Sequence, residues 1–473
     1  MHPTKLVRLF AVLAAAGAIA TSAHAQCTIT MSGADQQVID GYGFSSAWCG
    51  TLSSAKNNAL YGTLGMSLLR IRIDQGGSSY WGPEIANASA AHAAGAKVLG
   101  TCWTVPSQWN TGNGELIAAD AGAYATWLGQ AATAHNLDWV SPQNELDGAN
   151  WTATDMYNFM LNNAPTVGRA IAMPEAINFQ DQYSDPVLNN STAASHDTIV
   201  AGHLYGGGLY VHQNALNHGK HVWMTEYYFD GPNNMGVCMQ FAKQISDCMN
   251  DQFSAYFWWW DNDNDTNTVM VLSNGAINKN GYTEGQFAKW IRPGSTRVSA
   301  TYNPQSNVYV TAYRVNGGTV IVALNMGTSS VNQQFNIQNG NAATLEGYRT
   351  SSSQSMADIG SFGVSGGSFT PTLAAQSITT FVQTGSGGGG GVANGTYKLI
   401  NRNSGKALDA YGAGTANGTQ IIQWTYGGGA NQKWTVTSLG SSLYKIIGVQ
   451  SGRSIDISNG GTANGTKVQL WDY

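Results

Sequence analysis

Trp139-Val140-Ser141-Pro142-Gln143-Asn144-Glu145-Leu146-Asp147 starts as a short apolar strand and ends in acids. Strands buried on both faces read as short apolar runs, and Trp139-Val140 has that form. Asn144-Glu145 then stands where such a strand would leave its sheet. His221-Val222-Trp223-Met224-Thr225-Glu226-Tyr227 repeats the design, an apolar strand that delivers a glutamate at its end. In parallel α/β barrels the strand ends and the loops after them build the site. Two glutamates at two strand ends of one barrel can face each other across a cleft, and such a pair suits hydrolysis of a glycosidic bond. Either alone could be a solvated loop residue or an ion-pair partner. An asparagine beside the first and aromatics beside the second favour chemistry.

The flanking chain supplies the barrel. Strand-like runs fall at 43–48, 68–74, 97–103, 139–145, 171–175, 199–205, 221–227 and 255–260, and amphipathic stretches such as 119–134, 155–162 and 237–249 separate them. Eight β/α units in about 250 residues predict an α/β chain built on a (β/α)8 TIM barrel over residues 43–295. Glu145 ends the fourth strand and Glu226 the seventh. From 296 to 384 the runs become short, alternating and β-branched, with Gly, Asn and Ser between them. That pattern predicts a fused all-β sandwich at the side of the barrel. Residues 26–42 precede the first barrel strand and contribute the N-terminal strand of that side domain. Residues 385–392 are a Gly-rich linker.

Totals narrow the function. At 473 residues with 10% charged side chains, the chain is long enough for several cores and poor in charge. Gly (58), Trp (15) and Tyr (21) are abundant, so amides, hydroxyls and aromatic rings must cover much of the surface. Aromatic rings stack on sugar faces and amides bond their hydroxyls. A net charge of −5 implies neither nucleic acid nor an anionic membrane as partner. Lys5 and Arg8, the apolar run 9–20 and Ala23-His24-Ala25 read as a signal peptide over 1–25, which predicts secretion. Losing Lys5 and Arg8 takes the mature charge to about −7. Of the five cysteines, Cys238 with Cys248 and Cys27 with Cys49 could pair, and Cys102 reads as a buried thiol. No Cys/His spacing forms a metal site, and no cofactor is expected.

Beyond the linker lies an internal repeat. Leu408-Asp409-Ala410-Tyr411, Gly414-Thr415-Ala416-Asn417-Gly418-Thr419 and Gln423-Trp424-Thr425-Tyr426 recur as Ile455-Asp456-Ile457-Ser458, Gly461-Thr462-Ala463-Asn464-Gly465-Thr466 and Leu470-Trp471-Asp472-Tyr473.

Several pieces together resemble glycoside hydrolase family 30, in particular its bacterial xylanase branch. They are Ser141-Pro142-Gln143-Asn144-Glu145, Trp223-Met224-Thr225-Glu226, Tyr256-Phe257-Trp258-Trp259 with Lys279-Asn280-Gly281-Tyr282, Ile291-Arg292-Pro293-Gly294, and Asn303-Pro304-Gln305-Ser306-Asn307-Val308. The resemblance covers roughly 27–384. It implies a retaining endo-β-1,4-xylanase with Glu145 as acid/base and Glu226 as nucleophile. Such chemistry requires Glu145 to carry a proton while Glu226 is ionised. Asn144 would bond the sugar 2-hydroxyl. Trp48, Trp103 and Trp259, at the ends of strands one, three and eight, would line subsites, with Trp259 next to the nucleophile. His203 and Tyr205 would position Glu226, and Tyr228 would touch substrate. Many such xylanases read a glucuronic acid branch with an arginine after strand eight. Here Asp263 stands in that place, Asp265 replaces a tyrosine and Gly231 a serine. The resemblance therefore predicts xylan cleavage without a required branch. A glucuronoxylan-specific enzyme, a glycosidase of another β-glycan (β-1,6-glucan or galactan) and a non-catalytic polysaccharide binder are the alternatives. The segment 393–473 resembles a partial, truncated ricin-type β-trefoil carbohydrate-binding module, with Asp409, Trp424, Asn431 and Gln432 as its sugar contacts. Fewer than two full repeats of three are present, which leaves the module incomplete or poorly folded. The implied partner is xylan, met by a secreted monomer.

Overall fold

The structure is a computed structural model that describes residues 25–231, 234–383, 395–401, 403–440 and 443–473. The expected signal peptide and glycine linker lie outside the described residues. Strand β1 (Gln26–Val38) is followed by eight strands that close into a parallel barrel: β2 (Gly41–Ser45), β3 (Leu68–Ile73), β4 (Lys97–Cys102), β5 (Trp139–Ser141), β6 (Ala170–Ala176), β7 (Asp197–His203), β8 (His221–Tyr227) and β9 (Ala255–Trp258). Tyr42 of β2 pairs with Tyr256 of β9 and completes the ring.

Side-chain alternation sorts each barrel strand into an outer and an inner face. Outward residues such as Leu69, Ile71, Val98, Val200 and Val222 pack under the helices. Inward residues form layers. Leu68, Leu99, Ala172, Ile199, Trp223, Ala255 and Phe257 make an apolar floor with Trp139. Below it, the Trp223 indole donates to Asp40 at 2.7 Å. Two residues higher, the same strands bring Arg70 and Thr101 inward, both fully buried. The barrel is thus filled with packed side chains, and its polarity rises toward the C-terminal mouth.

The fourth barrel strand is shorter than the sequence suggests. β5 stops at Ser141 because Pro142 has no N–H to continue the ladder. Asn144 and Glu145 therefore sit in a turn. The Asn144 amide donates to Cys102 O at 2.8 Å and the Glu145 amide to Glu175 O at 2.9 Å, so β4 and β6 hold that turn from both sides. Strands β7 and β9 also end earlier than expected, placing Tyr205 and Trp259 just beyond them.

The side domain is a nine-stranded sheet. β1 enters it antiparallel to Thr296–Ala300 and parallel to Gln334–Gln338. Strand Gly318–Asn325 is buried at every residue. Its Val320, Val322 and Leu324 join the barrel core, while Ile321 and Ala323 join the sheet's own core. That double burial explains its unbroken apolar run.

In the C-terminal module the five-stranded sheet and the pair Ala407–Ala410/Ile421–Trp424 carry the repeat. Ala410, Ile421 and Trp434 of the first copy share one small core with Leu470 of the second. Gly418 N donates to Leu470 O, and Leu470 N to Thr419 O, each at 2.8 Å. The two copies thus close on each other instead of forming a poorly folded segment.

No helix among the described residues is long and apolar enough to cross a membrane. None of the five cysteines is in a disulfide. The suggested Cys238–Cys248 bridge is ruled out by geometry. Both lie in helix Met235–Asn250, where ten residues of rise separate them by about 15 Å, against the ~7 Å a disulfide tolerates. Cys27 is committed to the side sheet's core, with its thiol on Thr301 O, and so is not joined to Cys49. Alkylation of the unreduced, denatured protein is expected to label Cys238 and Cys248 fully. A mass-spectrometric peptide linking them would contradict this fold.

Candidate active site

At the barrel mouth Arg70 projects inward from β3 and is fully buried. Its Nη1 donates to Glu226 Oε2 at 2.6 Å, its Nη2 to Asn144 Oδ1 at 2.6 Å, and its Nε to Glu175 Oε1 at 3.0 Å. Thr101 donates to the other Glu175 oxygen at 2.8 Å. One guanidinium thereby ties residues from β3, β6, β8 and the turn after β5. Because Arg70 occupies Asn144 Oδ1, the orientation of that amide is set and its NH2 is the end left to donate.

One carboxylate oxygen each of Glu145 and Glu226 and a ring nitrogen of His203 lie within 4.8 Å of one another. Glu145, in the turn after the fourth barrel strand, and Glu226, near the end of the seventh, therefore share one small gap. Glu226 needs a backbone irregularity to reach it. Trp223 points into the barrel and Met224 out, so strict alternation would turn Glu226 outward. A register shift between Gly202 and His203 in the β7–β8 pairing, and another past Met224 in β8–β9, re-aims it inward. Glu145 (φ +45°) and Glu175 (φ +52°) adopt the left-handed region that side chains rarely occupy, as does Trp48 (φ +58°).

Tyr205 donates to Glu226 Oε1 at 3.0 Å, as expected. His203 bonds Glu145 Oε1 through Nδ1 at 3.2 Å, and its Nε2 is 3.9 Å from both Glu175 and Glu226, the residue it was expected to position. Burial by itself would lower the imidazole, but the Glu226 charge and the neighbouring Glu145 and Glu175 carboxylates outweigh it and push it up to about 9. Burial would likewise raise Glu175, yet the Arg70 charge and then His203 hold its carboxyl far below the usual range. Glu145, His203 and Glu226 have the donor set for a cation. Arg70 and a protonated His203 already supply positive charge there, which disfavours one.

Trp48, Trp103 and Trp259 meet on one side of the gap, with ring centroids 5.1, 5.7 and 6.2 Å apart. The Arg70 guanidinium lies 4.5 Å over Trp103 and that of Arg72 4.7 Å over Trp48. Tyr205 stacks on Tyr227 and meets Tyr228 edge-on at 6.2 Å. Trp48 and Tyr228 keep 48% and 38% of their surface exposed, enough to receive a ligand.

Asp263 does not face the cleft as a free acid. Burial would raise it, but Lys56 Nζ at 2.7 Å and the Ser273 amide and hydroxyl hold it below the usual carboxylate range. Lys56 also donates to Asp261 O, and Asp261 accepts from the Met270 and Val271 amides. This acidic stretch is a latch across the first and last barrel loops.

In the C-terminal module Asn431 and Gln432 both donate to Asp409 Oδ2, at 3.0 and 2.8 Å. They line an open cavity of about 580 Å³ with Tyr411 and the exposed Trp424. All four predicted sugar contacts are thus brought together.

The sequence reading missed Arg70, Thr101 and Glu175. A signal existed: an arginine and a glutamate interrupt otherwise apolar strand runs, where an unpaired charge would be costly.

Comparison with known proteins follows the same geometry. Residues 381–471 match a family model described as ricin-type β-trefoil lectin domain-like. The glucuronoxylanase XynC of Bacillus subtilis (strain 168) is 33% identical over 407 residues, 79% of this chain and 95% of that one. The GH30 endoxylanase from Clostridium papyrosolvens C71 superposes with TM-score 0.71 at 39% identity, covering 75% of this chain and 99% of that one. The chain belongs to glycoside hydrolase family 30. The GH30 subfamily 8 xylanase Xyn30A of Clostridium acetobutylicum is similarly close, with TM-score 0.72 and 37% identity over 75% of this chain and 98% of its own. The family 30 chain is a glycosidase whose barrel and side sheet match these relatives, with a lectin-like module appended.

The buried His203 gives a pH signature to stability. Its value near 9 lies above the ordinary 6.5, so the contribution is full below pH 6.5 and is lost as pH rises through about 9. The loss is expected to be on the order of 3 kcal/mol. Denaturant midpoints from pH 6 to 10 should fall across that window in the wild type and much less in His203→Gln.

Proposed function

We propose that this protein is a secreted, retaining endo-β-1,4-xylanase that acts as a monomer. The observation that carries the reading is the close approach of Glu145 and Glu226, one oxygen of each lying within 4.8 Å of the other, which favours the short spacing of retaining glycosidases over the ~6.5–9.5 Å of inverting ones. Glu226, held by Arg70 and Tyr205, attacks the anomeric carbon and forms a glycosyl-enzyme. Glu145 protonates the leaving oxygen, then takes the proton of the incoming water. Asn144 donates to the sugar 2-hydroxyl, a contact that tightens as positive charge grows on the ring. The tryptophan cup of 48, 103 and 259 stacks on xylose rings, and Tyr228 touches substrate. The relatives named as xylanases favour xylan over other β-glycans. Secretion rests on the N-terminal charge, apolar run and small-residue site. The cavity of Asp409, Trp424, Asn431 and Gln432 holds the polymer near the barrel.

Glu226→Gln is expected to cut turnover on xylan more than about 1,000-fold. Glu145→Ala should keep partial activity on aryl xylosides with good leaving groups and be rescued by azide with formation of a β-glycosyl azide. Unchanged turnover in Glu226→Gln would remove the mechanism.

A glucuronic acid branch is not required in this reading. Its support is the absence of any lysine or arginine from 228–234 and 259–268, the loops after β8 and β9. The relatives named glucuronoxylanase favour the alternative, a branch-dependent enzyme. Rates on glucuronoxylan and on unbranched xylo-oligosaccharides are expected to agree within about tenfold, or ~1.4 kcal/mol of differential transition-state binding. A hundredfold preference for the branched polymer would establish the alternative.

A further inference from the structure

The third glutamate at the barrel mouth has no role in the double displacement, yet every group of that reaction leans on it. Glu175 is fully buried on β6. One of its oxygens accepts from Arg70 Nε and the other from Thr101, while its backbone carbonyl accepts the Glu145 amide at 2.9 Å. The same oxygen that meets Arg70 lies 3.9 Å from His203 Nε2. Arg70 in turn holds Glu226 and Asn144, and His203 holds Glu145. The residue keeps this place at φ +52°, beside a register shift between Pro174 and Ala176, a conformation a side-chain-bearing residue adopts at a cost. An anion buried this deeply is retained only where it is paired.

We propose that Glu175 is a positioning residue that sets the geometry and charge balance of both reacting carboxyls without touching substrate. The proposal rests on the retaining reading above. The charged groups around it are Arg70 from β3, His203 from β7, Glu226 from β8 and Glu145 from the turn after β5. With Glu145 protonated for the first step, the carboxylates of Glu175 and Glu226 face the cations of Arg70 and His203, and removing the Glu175 charge leaves one against two. With that carboxylate charge gone, His203, which bonds Glu145, holds its proton less tightly, so the basic limb of the pH–rate profile moves to lower pH. Arg70, released from one of its three anchors, no longer presents Glu226 and Asn144 in register.

The test compares wild type, Glu175→Gln and Glu175→Asp on xylan. Each is normalised to active sites trapped by a 2-deoxy-2-fluoro xylobioside, so misfolded protein does not count. Glu175→Gln is expected to lose about 100-fold in kcat with KM within threefold, and its basic limb to move about one unit down. Glu175→Asp, which keeps the charge, should restore the wild-type limb while kcat stays partly reduced. A merely structural role would lower the trapped fraction and leave the profile in place. Wild-type kcat and an unmoved limb in Glu175→Gln would overturn the proposal, and if that variant yields no trapped enzyme, a moved limb in Glu175→Asp would do so. Failure of the probe to label Glu226 in the wild type would instead overturn the retaining reading itself.

Discussion

The active-site mouth depends on one buried guanidinium. Arg70 sits at the level where the barrel interior changes from an apolar floor to a polar layer. A cation without water there would be prohibitively costly, so its donors must all be answered. They are answered by Glu226, Asn144 and Glu175, which come from three separate parts of the chain. The arginine needs those acceptors to be buried. In satisfying it, they are brought together at the mouth, beside Glu145 and His203.

The same economy governs the loops. The turn after β5 is irregular because Pro142 ends the strand, yet its backbone is bonded to β4 and β6 and its Gln143 side chain to Trp103 O. The loop after β9 is rich in aspartate, but Lys56 and Ser273 absorb its charge and draw it toward the end of β2. Asn262 bonds Trp48 O in the same seam. The loops that carry Trp48, Trp103 and Trp259 are thus cross-linked by hydrogen bonds.

The side sheet contributes by burial. Strand Gly318–Asn325 gives one face to the barrel core and the other to its own core, which ties the two layers together with apolar contacts. Buried thiols, among them Cys102, pushed up to about 12 by burial, behave as small apolar groups in this interior.

Much was legible in the chain. Short apolar runs at β/α spacing announced eight parallel strands, because a strand covered on both faces must be apolar along its length. The glutamates of 145 and 226 were readable as strand-end acids, and the lectin-like contacts as parts of a repeat. The amino-acid order alone determined which elements exist, their sequence and which residue types stand at their ends. Tertiary structure decided where the acids point. Strict alternation would send Glu226 away from the gap, and only the shifted register between neighbouring strands turns it inward. It also decided the partners of Arg70 and Glu175, which lie far apart along the chain and meet only when the ring closes. The physical reason is that local pattern reports burial and periodicity, whereas bulges and long-range charge pairing are settled by what the neighbouring strands present.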